Sequence, residues 1–341
     1  MKKWISILSG LLAAQLVLAA ILNLTGEEYD TFQPKEKLLS FNRQAVSVLQ
    51  IKDGTDSVEI RKQEGKWLLP DSGNFPASQR QVEQLLDKLA ALEKGWPVAR
   101  SRGAAQRFAV HEEQFERELI LLSDDDNRTT LYVGSSPGFR KVYVRSGDQD
   151  DIFAVDFNTW QVNAKADDWI DKDILLLDDN SVQRIEMRGL ILQREDGKLH
   201  VENLEETEQT NVEESRALIR RLAGLRVQSL LGTETKPEYR QDEPALEVRM
   251  TREGDEVLDY RFSKAEYGAY YVLKRSDLEY YFKVADHQVD PVMETTREKL
   301  VQARIGKASI APATDEHDEN DTSTSEEQES DVGGEATKEH R

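Results

Sequence analysis

The sequence contains no cysteine. That excludes disulfides, Cys-ligated zinc, iron–sulfur clusters, a thiol nucleophile and a lipid-modified cysteine. Histidine is nearly as scarce, with five in 341 residues, and the five are scattered without the spacing of a triad or a ligand cluster. No P-loop and no glycine-rich dinucleotide fingerprint is present. Positive charge is short as well: 45 Lys and Arg stand against 65 Asp and Glu, for a formal charge of −20. Phosphate binding rests on clustered Lys and Arg, so this balance excludes a nucleic-acid partner. Hydrophobic residues make up 38%. That is low, yet a chain long enough for two ordinary domains or one large one can still build a core from it.

One long apolar run stands out at the N-terminus. Lys2 and Lys3 precede an uncharged stretch from Trp4 to Leu22, and the first acids are Glu27 and Glu28. At ~1.5 Å per residue these positions span roughly 28 Å, close to the hydrocarbon thickness of a bilayer. Lys before the run and acid after it orient it N-inside. A cleavable signal peptide is the competing reading, with Val17-Leu18-Ala19 as small residues near a cleavage site, but the apolar run continues through Ile21 and Leu22. The expectation is an uncleaved single-pass anchor through residues 4–22 in a bacterial inner membrane, with a cytoplasmic N-terminus. On either reading the bulk of the chain is extracytoplasmic. The opposite end, from Pro312 to Arg341, holds eleven acids, two basic residues and one sizeable aliphatic residue, Val332. It cannot bury enough apolar surface to offset its chain entropy and is expected to be disordered.

Between these ends lies an internal repeat. Val46–Ile51 reads as a strand turning at Asp53-Gly54, followed by Val58–Arg61, a turn at Glu64-Gly65, and Lys66–Leu69. The second copy reads Val182–Ile185, Leu190–Arg194, Asp196-Gly197 and Lys198–Val201. Both are antiparallel hairpins closed by glycine-containing turns. An amphipathic helix follows each. Ser78 and Gln81 form a capping box ahead of Val82, Leu85, Leu86, Leu89 and Leu92, with Gly95 and Pro97 ending the run; Asn211 and Glu214 play the same parts ahead of Leu218, Ile219, Leu222 and Leu225. Further strands follow at Leu119–Leu122, Thr130–Val133 and Lys141–Arg145, matched by Leu246–Met250, Val257–Phe262 and Tyr270–Lys274. Near the repeat ends lie Phe153–Asp156 and Phe282–Asp286. The predicted architecture is α+β: anchor 1–26, linker 27–45, repeats 46–181 and 182–305, each an antiparallel sheet packed with a helix, and acidic tail 306–341.

The hairpin with Gly65-Lys66-Trp67, the Leu-rich helix, Leu131-Tyr-Val-Gly134, Tyr143-Val-Arg145 and the N-terminal anchor together resemble the DUF4340 family over roughly residues 1–305. The second copy departs in having Leu199 where the first has Trp67. These are bacterial envelope proteins, many encoded beside an ABC transporter of the gliding-motility type and its extracytoplasmic partner subunit. The family has no assigned catalytic residues to carry over. The resemblance implies a non-catalytic accessory subunit of an ABC-transporter-type complex; a free-standing module binding a cell-wall glycan or a secreted protein is the alternative, and an enzyme with an unrecognised site the third.

The candidate chemistry is thin. Gly134-Ser-Ser136-Pro-Gly138 fits the nucleophile-elbow pattern, which needs a strand, a sharp turn and a helix; here strands flank it and Pro137 suits a hairpin loop. His200 and His287 follow Ser136 but sit in strand-like or polar surface contexts. His111-Glu112-Glu113 opens like a zincin motif, yet position 115 is Phe115. Asp124–Asn127 and Asp178–Asn180 lack calcium-loop spacing and read as solvated turns. No catalytic, cofactor-binding or metal-ligating residue is therefore assigned, and no cofactor. Tyr267, Tyr270, Tyr271, Tyr280 and Tyr281, with Phe262 and Phe282, crowd the second copy. They are expected to form cross-strand aromatic pairs, and they mark where a partner surface in that copy would be sought.

Overall fold

The computed structural model describes residues 36–304, apart from 126, 266 and 267, together with Leu12, Ala14 and Gln15. Nearly all of the expected membrane span and the whole acidic tail lie outside the described residues. Among the described residues no helix is long and apolar enough to cross a membrane.

The first half is a meander of three strands, a helix, and a meander of four. Strands β1 (Val46–Lys52), β2 (Ser57–Gln63) and β3 (Lys66–Leu69) lead through short β4 (Phe75–Pro76) into helix α1 (Gln79–Ala91). A short helix α2 (Arg102–Arg107) precedes β5 (Arg117–Ser123), β6 (Arg128–Val133), β7 (Lys141–Ser146) and β8 (Ile152–Asp156). The second half repeats the scheme: β9 (Val182–Met187), β10 (Leu190–Glu195), β11 (Lys198–Val201), helix α3 (Val212–Ala223) and an extra strand β12 (Ser229–Gly232). It continues with β13 (Leu246–Arg252), β14 (Val257–Lys264), β15 (Tyr270–Arg275) and β16 (Tyr281–Ala285), then helices α4 (Asp286–Met293) and α5 (Arg297–Leu300).

Two eight-stranded sheets result, with orders β4-β3-β2-β1-β5-β6-β7-β8 and β11-β10-β9-β13-β14-β15-β16-β12. Seven strands correspond one to one, and all neighbours are antiparallel. Even the irregularity recurs: the pairing of the first strand with the fourth slips between Val46 and Val48, and again between Val182 and Arg184. The second hairpin of each meander turns through two residues with positive φ, Glu64-Gly65 and Asp196-Gly197, the backbone that a tight two-residue turn requires.

Alternation along the strands decides which face is buried. Leu49, Ile51, Ile60, Leu121 and Val144 in the first sheet, like Ile185, Met187, Leu192, Met250 and Leu273 in the second, are almost wholly buried. Against them pack Val82, Leu85, Leu86 and Leu89 of α1, and Leu218, Ile219 and Leu222 of α3. One hydrophobic core runs through both sheets.

The helix starts differ from the capping boxes expected. Ser78 is the N-cap of α1 but its side chain caps nothing. Instead the Gln79 side chain reaches back to β3, accepting from Trp67 N–H at 3.0 Å and donating to the Trp67 carbonyl at 3.1 Å. A carboxamide that satisfies both backbone groups of Trp67 does more for the buried strand end than a local cap would. In α3 the cap is as expected, with Asn211 accepting from Glu214 N–H.

The halves are joined by residues 157–181 and by direct packing. Trp169 is fully buried, its indole N–H donates to Asn163 O, and its carbonyl accepts from Ser78 N–H. Arg275 of β15, also buried, donates to the carbonyls of Ile174 and Leu175. Phe75 meets Tyr280 edge-on at 4.9 Å, and the Tyr280 hydroxyl donates to Gly73 O.

Candidate functional site

The Gly134–Gly138 segment is the β6–β7 hairpin loop. Ser136 is exposed, and its hydroxyl faces the carbonyls of Gly138 and Lys141 at 2.7 and 2.6 Å. Those are turn-closing contacts. Gly134 has a steric reason to be glycine: a Cβ there would lie 2.0 Å from the Phe108 carbonyl oxygen. The pattern is a packing constraint and not an elbow.

His111 is buried, and both ring nitrogens are engaged. Arg102 Nε stands 3.1 Å from Nε2, and the backbone N–H of Glu113 stands 3.2 Å from Nδ1. His200 is half-buried in β11 and His287 exposed on α4. The acidic turns are internally bonded, Asp178 accepting from Asn180 N–H and Asp125 from Asn127 Nδ2. Among the described residues no group of three or more His, Asp or Glu is placed to hold a metal ion.

The tyrosines are not the cross-strand pairs expected. Tyr270 lies opposite Ala285, Tyr271 opposite Val284, and Tyr281 opposite Lys274. Tyr280 precedes β16 and packs on Phe75 of the other half. Tyr271 and Tyr281 are buried, Tyr281 against Tyr239 at 5.3 Å. Burial, and then the hydrogen bond to Asp290, push the Tyr271 hydroxyl up to about 12. This cluster is core, and Tyr267 lies outside the described residues.

Three of the larger grooves among the described residues remain to be weighed. One of about 570 Å³ lies over the second sheet, where Arg249 pairs with Asp259 at 2.7 Å and Arg261 with Glu247 at 3.0 Å. These cross-strand ion pairs complete one another and leave little charge free for a ligand. A second, of about 1040 Å³, separates residues 37–45 from the β5–β6 and β7–β8 turns and is lined by Ser40, Asn42, Asn127, Thr129 and Gln149. The third, of about 810 Å³, runs between the end of α1 (Lys88, Leu92, Glu93) and the outer edge of the first sheet (Val155, Asp156, Trp160).

This third groove is the candidate site. Phe139 and Trp160, which line it, are 87% and 73% exposed; Trp96, three residues beyond Glu93, is 69% exposed. They are the most exposed large hydrophobic side chains among the described residues. The Arg140 guanidinium covers the Phe139 ring at 4.9 Å. A rim of Trp, Phe and Arg is the composition of binding hot spots. Sequence reasoning missed these three because they obey no period: Trp96 stands between Gly95 and Pro97, Phe139 follows Pro137-Gly138, and Trp160 lies in a short turn after β8. The readable signal was a large aromatic lodged among turn residues, where a core has no use for it.

A family model described as "Domain of unknown function (DUF4340)" matches residues 67–244, just over half of the chain and narrower than the 1–305 over which the resemblance was read. The match runs from β3 to the loop before β13 and so takes in the helix of each half. No curated protein and no solved structure matches the chain.

Proposed function

We propose that this chain, which belongs to the DUF4340 family of domains of unknown function, is a non-catalytic, single-pass membrane-anchored extracytoplasmic protein that serves as an accessory subunit of an ABC-transporter-type envelope complex. The observation that carries the reading is the aromatic-rimmed groove at the outer edge of the first sheet. Such a surface is suited to holding a protein partner. The uncharged run from Trp4 to Leu22 supplies the anchor.

Purification from membranes in mild detergent tests it. The transporter subunits should co-purify with the wild-type chain and be lost with Trp160→Ala. Partition of the chain into the soluble fraction after a high-salt wash would remove the anchor from the reading. Retention in the membrane without transporter subunits would remove the complex. A free-standing module for a cell-wall glycan is the second reading, favoured by the hydroxyl- and amide-lined groove beside residues 37–45.

A further inference from the structure

The chain enters the fold beside an exposed apolar loop. Glu36 pairs with Lys94 and Lys37 with Glu93, and Leu38 N–H donates to Leu92 O at 2.9 Å. The residues that follow are Gly95-Trp96-Pro97-Val98, four without charge, of which Trp96 is 69% and Val98 48% exposed. The loop is pinned at its far end as well: Val98 N–H donates to Ile152 O at 2.8 Å, and Ala99 bridges to the same residue. Its exposure is therefore built in, with the chain held on both sides of it. Of Trp96, Phe139 and Trp160, Trp96 alone does not line the groove assigned above to a protein partner. At the matching place in the second half, Ser229 and Leu231 are half-buried, and Leu231 packs on the cluster of Tyr239 and Tyr281. The exposed loop thus belongs to the copy that directly follows the N-terminal apolar run.

We infer that the Trp96–Val98 loop seats in the interfacial layer of the bilayer that holds the anchor, with the Trp96 ring at headgroup depth. An indole joins an apolar body to a single N–H donor, which suits the boundary between lipid and water. Interfacial elements of this kind sit roughly 5–10 Å into the headgroup region and lie on the membrane without spanning it. Position agrees. Residues 23–35 are all that separates Leu22, the end of the apolar run, from Glu36, and thirteen residues reach at most roughly 45 Å even fully extended. Because Glu36 is paired with Lys94, any path the tether takes delivers the loop with it. Charge agrees too. A body of formal charge −20 is repelled by an anionic lipid surface. Around the loop, however, Lys37, Lys94 and Arg100 are matched by Glu93, Glu36 and Asp151, at 3.6, 3.1 and 2.6 Å. Screening confines the field of remoter acids to about 8 Å at physiological salt. The inference rests on the anchor of the reading above and goes beyond it. It names the face of the first half that lies on lipid, and it leaves the Phe139–Trp160 groove, which shares Glu93 with this face, beside the membrane surface.

The sequence has no cysteine, so a single one can be introduced and labelled. The full chain carrying Val98→Cys and a fluorophore is reconstituted into vesicles of phosphatidylethanolamine and phosphatidylglycerol that contain a nitroxide-bearing lipid. Val257→Cys, at a comparably exposed valine of the second half (45%), is the reference. Flotation of the vesicles reads the anchor, and quenching by the nitroxide reads the loop. The chain should float, and the label at 98 should be quenched several-fold more strongly than the label at 257. Trp96→Ser in the Val98→Cys chain should remove most of that contrast and leave the melting temperature unchanged, since the ring it deletes is exposed. Equal quenching at the two sites in a chain that floats overturns the inference and leaves the anchor standing. A chain that does not float loses the anchor, and the inference with it. A label at 98 that is sheltered from aqueous iodide yet untouched by the nitroxide lipid also overturns it, because a protein surface or a second copy of this chain is then the occupant. So does a contrast that Trp96→Ser leaves intact.

Discussion

The first and second halves of the molecule share seven strands, a helix and a bulge, yet residues in matching places do opposite work. Counting from the matched strands, Trp96, Phe139 and Trp160 of the first half correspond to Ser229, Gly268 and Val289 of the second. Ser229 is paired in β12, and Val289 is fully buried in α4. The second half has turned this edge inward, with a strand and a helix laid over it; the first pairs it at Ile152 alone, with Ala99, and carries exposed aromatics beside it. On the proposed function, the partner surface lies in the half opposite to that suggested by the tyrosine-rich sequence.

The largest effects should come from breaking what the halves share. Leu86 and Ile219 occupy the same place on α1 and α3 and are 1% and 4% exposed. Leu86→Asp and Ile219→Asp should each cost on the order of 4 kcal/mol, since each would leave a carboxylate unpaired in a helix–sheet core. Chemical denaturation measures both. Equal losses in one cooperative transition would fit the common core; a loss in one half with the other melting unchanged would mean that the halves fold separately.

A smaller pair of effects should sharpen what the halves do not share. Trp67, fully buried, donates its indole N–H to Glu83 at 3.2 Å. Its counterpart Leu199 leaves room for Ser215, whose hydroxyl donates to Leu199 O at 2.7 Å. Trp67→Leu should cost about 2 kcal/mol through the cavity it opens. Leu199→Trp should cost a comparable ~1–3 kcal/mol through overpacking against the buried Ser215. If Leu199→Trp were neutral in a melt, the two helix–strand seams would be interchangeable and this account of their difference would fail.

The next effect is confined to the second half and depends on pH. Glu208 accepts both terminal nitrogens of Arg297, at 2.8 and 2.6 Å, and these bonds hold its carboxyl at about 2 instead of the usual 4.5. A depressed folded-state value means that the contribution is complete above 4.5 and is lost as the pH falls from there towards 2. The pair clamps Glu208–Thr210 onto Val301–Ala303, a closure that β4 in the first half lacks. Hydrogen exchange at these strands should quicken as the medium is acidified through this window. In Arg297→Gln the pH dependence should flatten; an unchanged acid profile in that variant would break the assignment.

Much of this comparison was legible in the sequence because it rests on periodicity. Alternating Val, Ile and Leu set the strands, and the spacing of Leu85, Leu86, Leu89 and Leu92 set the helix, since both patterns report which face is buried. What was not legible depends on chain returning from a distance. β12 is four residues, Ser-Leu-Leu-Gly, with no alternation to mark it, and it exists because β16 offers an edge. The capping box at Ser78 failed for the same reason: Gln79 found a better partner in Trp67, twelve residues back. The different finish of the two sheet edges could be seen only by laying one half on the other.

The smallest effect should come from the residue with the most suggestive motif. Ser136 stands in the β6–β7 loop where the second half, at the matching place before β15, has Ala265. Ser136→Ala therefore makes the first half more like the second. The loop keeps its Gly138–Lys141 bridge, and the lost hydroxyl contacts are exposed ones that water replaces. Stability should change by less than about 0.5 kcal/mol, and recovery of transporter subunits in detergent should be unaltered. If Ser136→Ala left the melt and membrane retention intact but abolished complementation of a deletion strain, the hydroxyl would be acting as a chemical group. The non-catalytic reading would then give way to a hydrolase whose base comes from a partner.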